Sequence, residues 1–405
     1  MNGFVLYIFL MMVSLSALAD KKAEYHLYLD ADFTGSRVSS IAIEQGIRTA
    51  LDEVDYQIGG HRVSLICRDH RGNTRRSRAN LEEAIADPKT LAVFCGLHSP
   101  PVLTNLARVH EAGMLLLDPW AAAHSITRFS VDTNWVFRLS LDDAKVGQYL
   151  VDYAIEKRGF KQPVLLLEDT GWGRSNEKNM MQALRAYGIS PVSVEWFNWN
   201  LEELGSRIRL RRMLQAGADC LFLVANTREG VVWARELAAH AEQDRIPIIS
   251  HWGITGGNFV EEVGLDSLNK LELFFVQPQL SVIHAPSVYA RGVFEHAEKL
   301  FGEAIAEPRE WQAPAGFLHG YDITRLLLAA GEQVRLRGED AGKDREVVRV
   351  ALESLEQPVE GLLKAYVRPF GSMQQMGVDG HEALRSSDYC MGSFDEMGRI
   401  VVEAE

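Results

Sequence analysis

Three tryptophans stand just past the ends of short apolar runs: Trp120 in Asp118-Pro119-Trp120-Ala121-Ala122, Trp172 in Thr170-Gly171-Trp172-Gly173, and Trp252 in Ser250-His251-Trp252-Gly253. An indole offers a rigid apolar face to a ring, a methyl group or an ammonium, with one N–H to fix orientation. Two further run ends carry Gly96-Leu97-His98-Ser99 and Asn226-Thr227. Backbone N–H groups and a serine at a helix start suit a carboxylate. The candidate ligand-binding residues are therefore His98, Ser99, Asp118, Trp120, Ala121, Ala122, Trp172, Asn226, His251 and Trp252. Any one of these indoles is as well explained by plugging a strand end against its helix. Three at comparable positions in two series favour a shared surface. Trp135, Trp196, Trp199, Trp233 and Trp311 are assigned to packing.

Signatures of catalysis are thin. The sequence has no Gly-x-Ser-x-Gly elbow, no His-Glu-x-x-His helix and no His/Cys cluster with metal spacing, so neither a catalytic residue, a metal nor a cofactor is assigned. The adjacent side chains of His98 and Ser99 would point apart on an extended segment, which argues against a nucleophile and base. The run Trp252-Gly253-Ile254-Thr255-Gly256-Gly257-Asn258 lacks the order of a phosphate loop and reads as a turn lining a cleft. Arginines at 71, 75, 76 and 78, and at 207, 209, 211 and 212, read as solvated faces.

The elements that must position these residues follow from periodicity. Apolar runs at 25–29, 63–67, 91–95 and 114–117 alternate with segments of helical spacing such as 40–54 and 77–86. A second series has runs at 164–167, 192–196, 220–225 and 246–249. This alternation predicts parallel sheets covered by helices, an α/β chain with two doubly wound, Rossmann-like lobes. Ligands gather beyond the carboxyl ends of such strands, where loops vary while the sheet stays rigid. Residues 134–147 separate the two series, 274–280 form another extended stretch before a helix over 285–301, and 361–380 read as a third crossing or a surface loop.

The chain has 405 residues, 47% of them hydrophobic, enough for a sizeable core and for two or three domains. Lys plus Arg number 42 against 55 Asp plus Glu, a formal charge of -13, which excludes an extended nucleic-acid footprint. The first nineteen residues are uncharged, with an apolar run at 4–13 and Ala17-Leu18-Ala19 before Asp20. That pattern predicts a cleavable secretory signal over 1–19, too short to span a bilayer, an uncleaved anchor being the alternative. No second span is expected, and the mature chain is expected in the periplasm. Cys67, Cys95, Cys220 and Cys390 form no disulfide framework and no zinc site, and a single disulfide stays open.

The signal, residues 46–54 followed by Gly59-Gly60, the 96–101 turn, the 113–119 strand and exit, Arg138 with Gly147, and Trp172-Gly173 together carry a resemblance. The chain resembles the type I periplasmic solute-binding proteins of the leucine/isoleucine/valine-binding class over nearly all of its mature length. That resemblance implies two lobes joined by three crossings, closing by hinge motion on a small ligand that passes to an ABC permease. The expected division is 20–138 with 281–360 for the first lobe and 139–280 with 361–405 for the second. The resemblance also implies that Ser99, and Trp120 to Ala122, receive the ligand carboxylate, with Ala122 where a hydroxyl residue is common, and that Trp172 covers the ligand.

One departure bears on the ligand. Where the aliphatic amino-acid binders hold the ammonium with an acidic residue, Trp252 stands here. Either Asp118 or Asp169 supplies the charge from another exit, or the cleft takes an aromatic acid or a quaternary amine against Trp120, Trp172 and Trp252. Three functions follow: a ligand-capturing subunit of an ABC importer, a sensory subunit for a membrane receptor kinase, and, from another class, a hydrolase using His98, Ser99 or His251.

Overall fold

The computed structural model describes residues 24–199 and 201–403; the proposed signal and the cleavage site lie outside the described residues. The first series forms a six-stranded sheet from β1 (Glu24–Ala31), β2 (Gln57–Ile58), β3 (His61–Asp69), β4 (Thr90–Cys95), β5 (Leu116–Asp118) and β6 (Val136–Arg138), in the order β2-β3-β1-β4-β5-β6. β1 pairs in parallel with both β3 and β4, so the winding direction reverses between β1 and β4. The second series builds a seven-stranded sheet from β7 (Pro163–Glu168), β8 (Ser193–Phe197), β9 (Cys220–Val224), β10 (Ile248–Ser250), β11 (Leu273–Pro278), β14 (Tyr389–Phe394) and β15 (Ile400–Val402), in the order β15-β14-β11-β10-β9-β7-β8. Its reversal lies between β7 and β9. The chain is thus α/β with two doubly wound lobes.

The parallel strands read as unbroken apolar runs because helices cover both faces. β4, β7 and β9 are buried along their whole length. The sequence reading missed β6, lying within the segment expected to be only a crossing, and the antiparallel strands β14 and β15, of which β15 is the edge of its sheet. Strands of three residues are too short for periodicity to register.

In the first lobe the helix Arg37–Asp52 packs on the long helix Pro314–Gln333 at close range. A Cβ on Gly46 would lie 2.2 Å from the Phe317 carbonyl oxygen, and one on Gly320 would lie 2.5 Å from that of Ile43. Reciprocal glycines therefore set the helix separation. The hairpin of β12 (Val359–Glu360) and β13 (Ala365–Tyr366) packs beside the same long helix, tied by Asp322, whose carboxylate accepts the N–H groups of Leu362 and Leu363 and the Tyr366 hydroxyl.

The chain passes between the sheets at 138–143, after β11, and at 381–389. The first and third passages are laced together: Arg138 N–H donates to the His381 carbonyl and Ala383 N–H to that of Arg138. The Arg138 guanidinium, 0% exposed, pairs with Glu382 and, at 3.2 Å, with Asp142. Arg128 reaches the same two carboxylates at 2.7 and 3.1 Å. Burial alone would raise the Asp142 carboxyl, yet Arg138, His124 and Arg128 hold it far below the usual range.

Two outcomes are expected from thermal and chemical melts. Gly46→Ala forces the helices apart and costs about 1–3 kcal/mol of stability. Arg138→Leu leaves two buried carboxylates short of a partner and costs about 3–5 kcal/mol.

Candidate functional site

Each sheet's winding reversal opens a crevice at its strand ends, and the two crevices face each other. In the first lobe the chain leaving β1 carries Asp32 and the chain leaving β4 carries His98. The His98 Nε2 lies 3.2 Å from Asp32 Oδ2 and 3.1 Å from the Ser36 hydroxyl. Burial would raise the Asp32 carboxyl, but His98 and the Gly35 N–H bring it down to about 2. In the second lobe β7 ends on Glu168 and β9 leads to Asn226. Glu168, 0% exposed, accepts the Asn226 amide at 3.1 Å and the Thr170 hydroxyl at 3.0 Å. Burial holds its carboxyl above the usual range.

The sequence fixes the loops around these pairs locally. At the β5 exit, Asp118 Oδ1 accepts the N–H groups of Trp120 and Ala121 at 3.0 and 2.7 Å, an Asx turn that aims the Trp120 ring across the cleft. At the β7 exit, Thr170 caps the helix Gly171–Ala186, and a Cβ on Gly173 would lie 1.8 Å from the Glu168 carbonyl oxygen. Glycine alone fits that turn. Trp172 then donates its indole N–H to Asp143 at 3.2 Å and meets the His251 ring edge-on at 4.9 Å. At the β10 exit, Trp252 opens a 3₁₀ turn, Trp252–Thr255.

Trp120 from the first lobe and Trp252 from the second stack face to face, ring centres 4.8 Å apart and planes 17° from parallel. The His319 ring, on the long helix of the first lobe, lies 5.3 Å from Trp252. Burial lowers His319 to about 4, so its ring is neutral at physiological pH, and Nδ1 is bound to the Pro119 carbonyl. Trp199, from the second lobe, sets its ring 5.3 Å from that of His98 in the first. It bridges the lobes, a role that its reading as packing did not include.

Between these walls lies a cavity of about 10 Å³, roughly one water's room. Seven of the ten residues expected from sequence line it: His98, Ser99, Trp120, Ala122, Trp172, Asn226 and Trp252. The structure sets the other three behind the wall. Asp118 is 0% exposed beneath its own turn, where burial raises its carboxyl to about 7 against the pull of Arg138. Ala121, three residues after Asp118, is buried and gives its N–H to the same carboxylate. His251 is wholly buried, with Nε2 3.2 Å from Asp143. Asp169 points outward to Arg174. The carboxylate on the wall is Glu168, which strand order identifies as the end of the first strand of its series.

The helix Ser99–Glu111 is a poorer anion site than its start suggested. Pro100 and Pro101 remove two of its first N–H groups, and the Ser99 hydroxyl accepts the Ala123 N–H at 3.2 Å. His98 is held by Asp32 and His251 by Asp143, and among the described residues no hydrogen bond joins Ser99 to either histidine. Among the described residues no group of His, Cys, Asp or Glu is arranged for a metal, and all four cysteines are free thiols.

Solved structures share this architecture. A type 1 periplasmic binding protein from Bordetella pertussis superposes with a TM-score of 0.78 at 16% identity, covering 94% of this chain and 100% of that one. A solute-binding protein of an ABC transporter from Rhodopseudomonas palustris HaA2, in complex with p-hydroxybenzoic acid, gives 0.76 at 15% identity, covering 94% and 96%. The branched-chain amino acid transporter substrate-binding protein LivJ from Streptococcus pneumoniae, in complex with isoleucine, gives 0.72 at 16% identity, covering 94% and 100%. No curated protein matches the chain. The family model described as periplasmic binding protein matches residues 31–381. With two doubly wound lobes and a cleft walled by both switch points, this chain belongs to the periplasmic binding protein family.

Proposed function

We propose that the protein captures a small organic solute, amino-acid-like, an aromatic acid or an amine, between its lobes outside the cytoplasmic membrane and delivers it to an ABC importer. The observation that carries this reading is the facing pair Trp120 and Trp252, one from each lobe, beside the buried Glu168 carboxylate. Flat indole faces reward a ring or an alkylammonium, and Glu168 rewards a cation or a hydrogen-bond donor. The family supports the capture role. The p-hydroxybenzoate and isoleucine complexes of its structural relatives support the two ligand classes. Among the described residues no helix is long and apolar enough to cross a membrane, as suits a subunit that meets its permease by docking.

A solute of that size needs more room than the cavity of about 10 Å³. Entry therefore requires the lobes to part and the indoles to separate, and contacts to both lobes then favour reclosure. Titration with amino acids, hydroxybenzoates and methylated amines, followed by indole fluorescence, tests this directly. At least one class is expected to shift the emission and raise the melting temperature; silence across all three would count against the reading.

Trp252→Ala is expected to abolish that response. Because the indole is 1% exposed, the variant also loses about 3–5 kcal/mol of stability, so Trp252→Phe is the control that separates binding from folding. The ligand's charge can be read from pH. Burial raises the Glu168 carboxyl, so an amine binds more tightly as pH rises through its titration and Glu168 ionises. A ligand presenting its own carboxylate there binds less tightly over the same interval. Glu168→Gln flattens either profile, as isothermal titration at a series of pH values would show.

A further inference from the structure

The wall of the interlobe cavity carries charge of one sign. Among the described residues that line it there is no Lys or Arg, and Glu168 is the one carboxylate. Arg138, whose guanidinium reaches the Ala123 carbonyl behind the first lobe's wall, is committed to Glu382 and Asp142. His98 is paired with Asp32, so any charge on that ring is already matched.

Helix starts favour an anion through their free N–H groups and dipole, but here those places are taken or weakened. In the second lobe Thr170 caps the helix Gly171–Ala186, and Asn226 precedes the helix Thr227–Ala238. Each gives its side-chain donor to a different oxygen of Glu168, at 3.0 and 3.1 Å. The protein's own carboxylate thus sits where two helix starts would receive one. In the first lobe Asp32 accepts the Gly35 N–H at 2.7 Å, just ahead of the helix Arg37–Asp52. The helix that begins at Ser99 lacks the N–H groups of Pro100 and Pro101. Trp172 spends its indole N–H on Asp143.

A solute carboxylate would therefore arrive beside a resident one with no counter-charge to meet. Two carboxylates sharing a desolvated site cannot both stay ionised, so one must take up a proton or the solute is refused. A cation meets the opposite conditions. Glu168 is a counter-ion, and Trp120, Trp172 and Trp252, all buried, attract positive charge to their faces most strongly where water is excluded. The indoles would suit a ring of either charge, so the charge decides.

We infer, resting on the capture role proposed above, that the solute is an organic cation without a carboxylate: a primary or methylated ammonium on a flat or branched apolar body. The cleft refuses amino acids and aromatic acids, which narrows the three classes to one. Glu168 balances the ammonium, and Trp120 and Trp252, parted on opening, supply the faces between which its methyl groups or apolar body lie.

The test compares matched solutes on the full chain at neutral pH, with binding followed by indole fluorescence. Each amine is paired with a molecule that differs chiefly by a carboxylate: phenethylamine with phenylalanine, isoamylamine with leucine, and choline with glycine betaine. At least one amine is expected to bind, and to bind at least about tenfold more tightly than its carboxylated partner. A carboxylated solute, p-hydroxybenzoate included, that binds as tightly as the best amine would overturn the inference and leave the capture role standing. Silence from every solute would count against both. Glu168→Gln is expected to weaken the amine at least about tenfold and to shrink the gap within its pair. Wild-type affinity for the amine in that variant would overturn the inference as well. The paired comparison uses the wild-type chain and decides alone if the variant does not fold.

Discussion

A single buried guanidinium governs how the two halves of this protein meet. Arg138 ends the last strand of the first sheet and belongs at the same time to the first passage between the lobes. Glu382 comes from the third passage and Asp142 from the start of the second lobe's first helix. Charges removed from water are tolerable only when paired and hydrogen-bonded, so these passages cannot drift apart without exposing an uncompensated ion. Backbone hydrogen bonds from the Arg138 N–H to the His381 carbonyl and from the Ala383 N–H to the Arg138 carbonyl add direction to that restraint. The result is a narrow joint, fixed in position, that keeps the strand ends of the two lobes opposed.

Everything in the cleft inherits its place from that opposition. Each lobe contributes one polar pair from its own winding reversal, His98 with Asp32 and Asn226 with Glu168, and one member of the stacked indole pair. Each pair forms within its own lobe, so neither depends on the other lobe for its hydrogen bond. The indoles are different: Trp120 and Trp252 bury their faces on each other, which makes closure favourable through apolar contact rather than through a salt link. Such a contact has little directional demand, and it can give way to another flat or methylated surface at modest cost.

Much of this was legible in the residues. Two series of apolar runs separated by helical spacing mark two doubly wound lobes, and the exits carrying Trp120, Trp172 and Trp252 mark three walls of the cavity. What escaped was of two kinds. β6 and β15 are three-residue edge strands, and β14 takes its register from β11, more than a hundred residues earlier. The cavity's carboxylate was misplaced for a different reason. Asp118 follows an apolar run and carries the right charge, but its local turn consumes it, since an Asx turn needs the side chain for the backbone N–H groups two and three residues on. Glu168 ends a strand, where alternation says nothing about function. Only the order of strands, with β7 between β8 and β9, places it at a switch point. Likewise Pro100 and Pro101 were visible as letters, but their cost to the helix's anion-binding end follows only once Ser99 is known to begin it.

The antiparallel strands β14 and β15 carry a consequence for folding. They complete the second sheet beside β11, yet they are drawn from the far carboxyl end of the chain, beyond the long helix and hairpin of the first lobe. A polypeptide that emerges amino end first therefore cannot complete that sheet until these two strands have followed. Until then the β11 edge stays open, with its backbone N–H and C=O groups unpaired along that side.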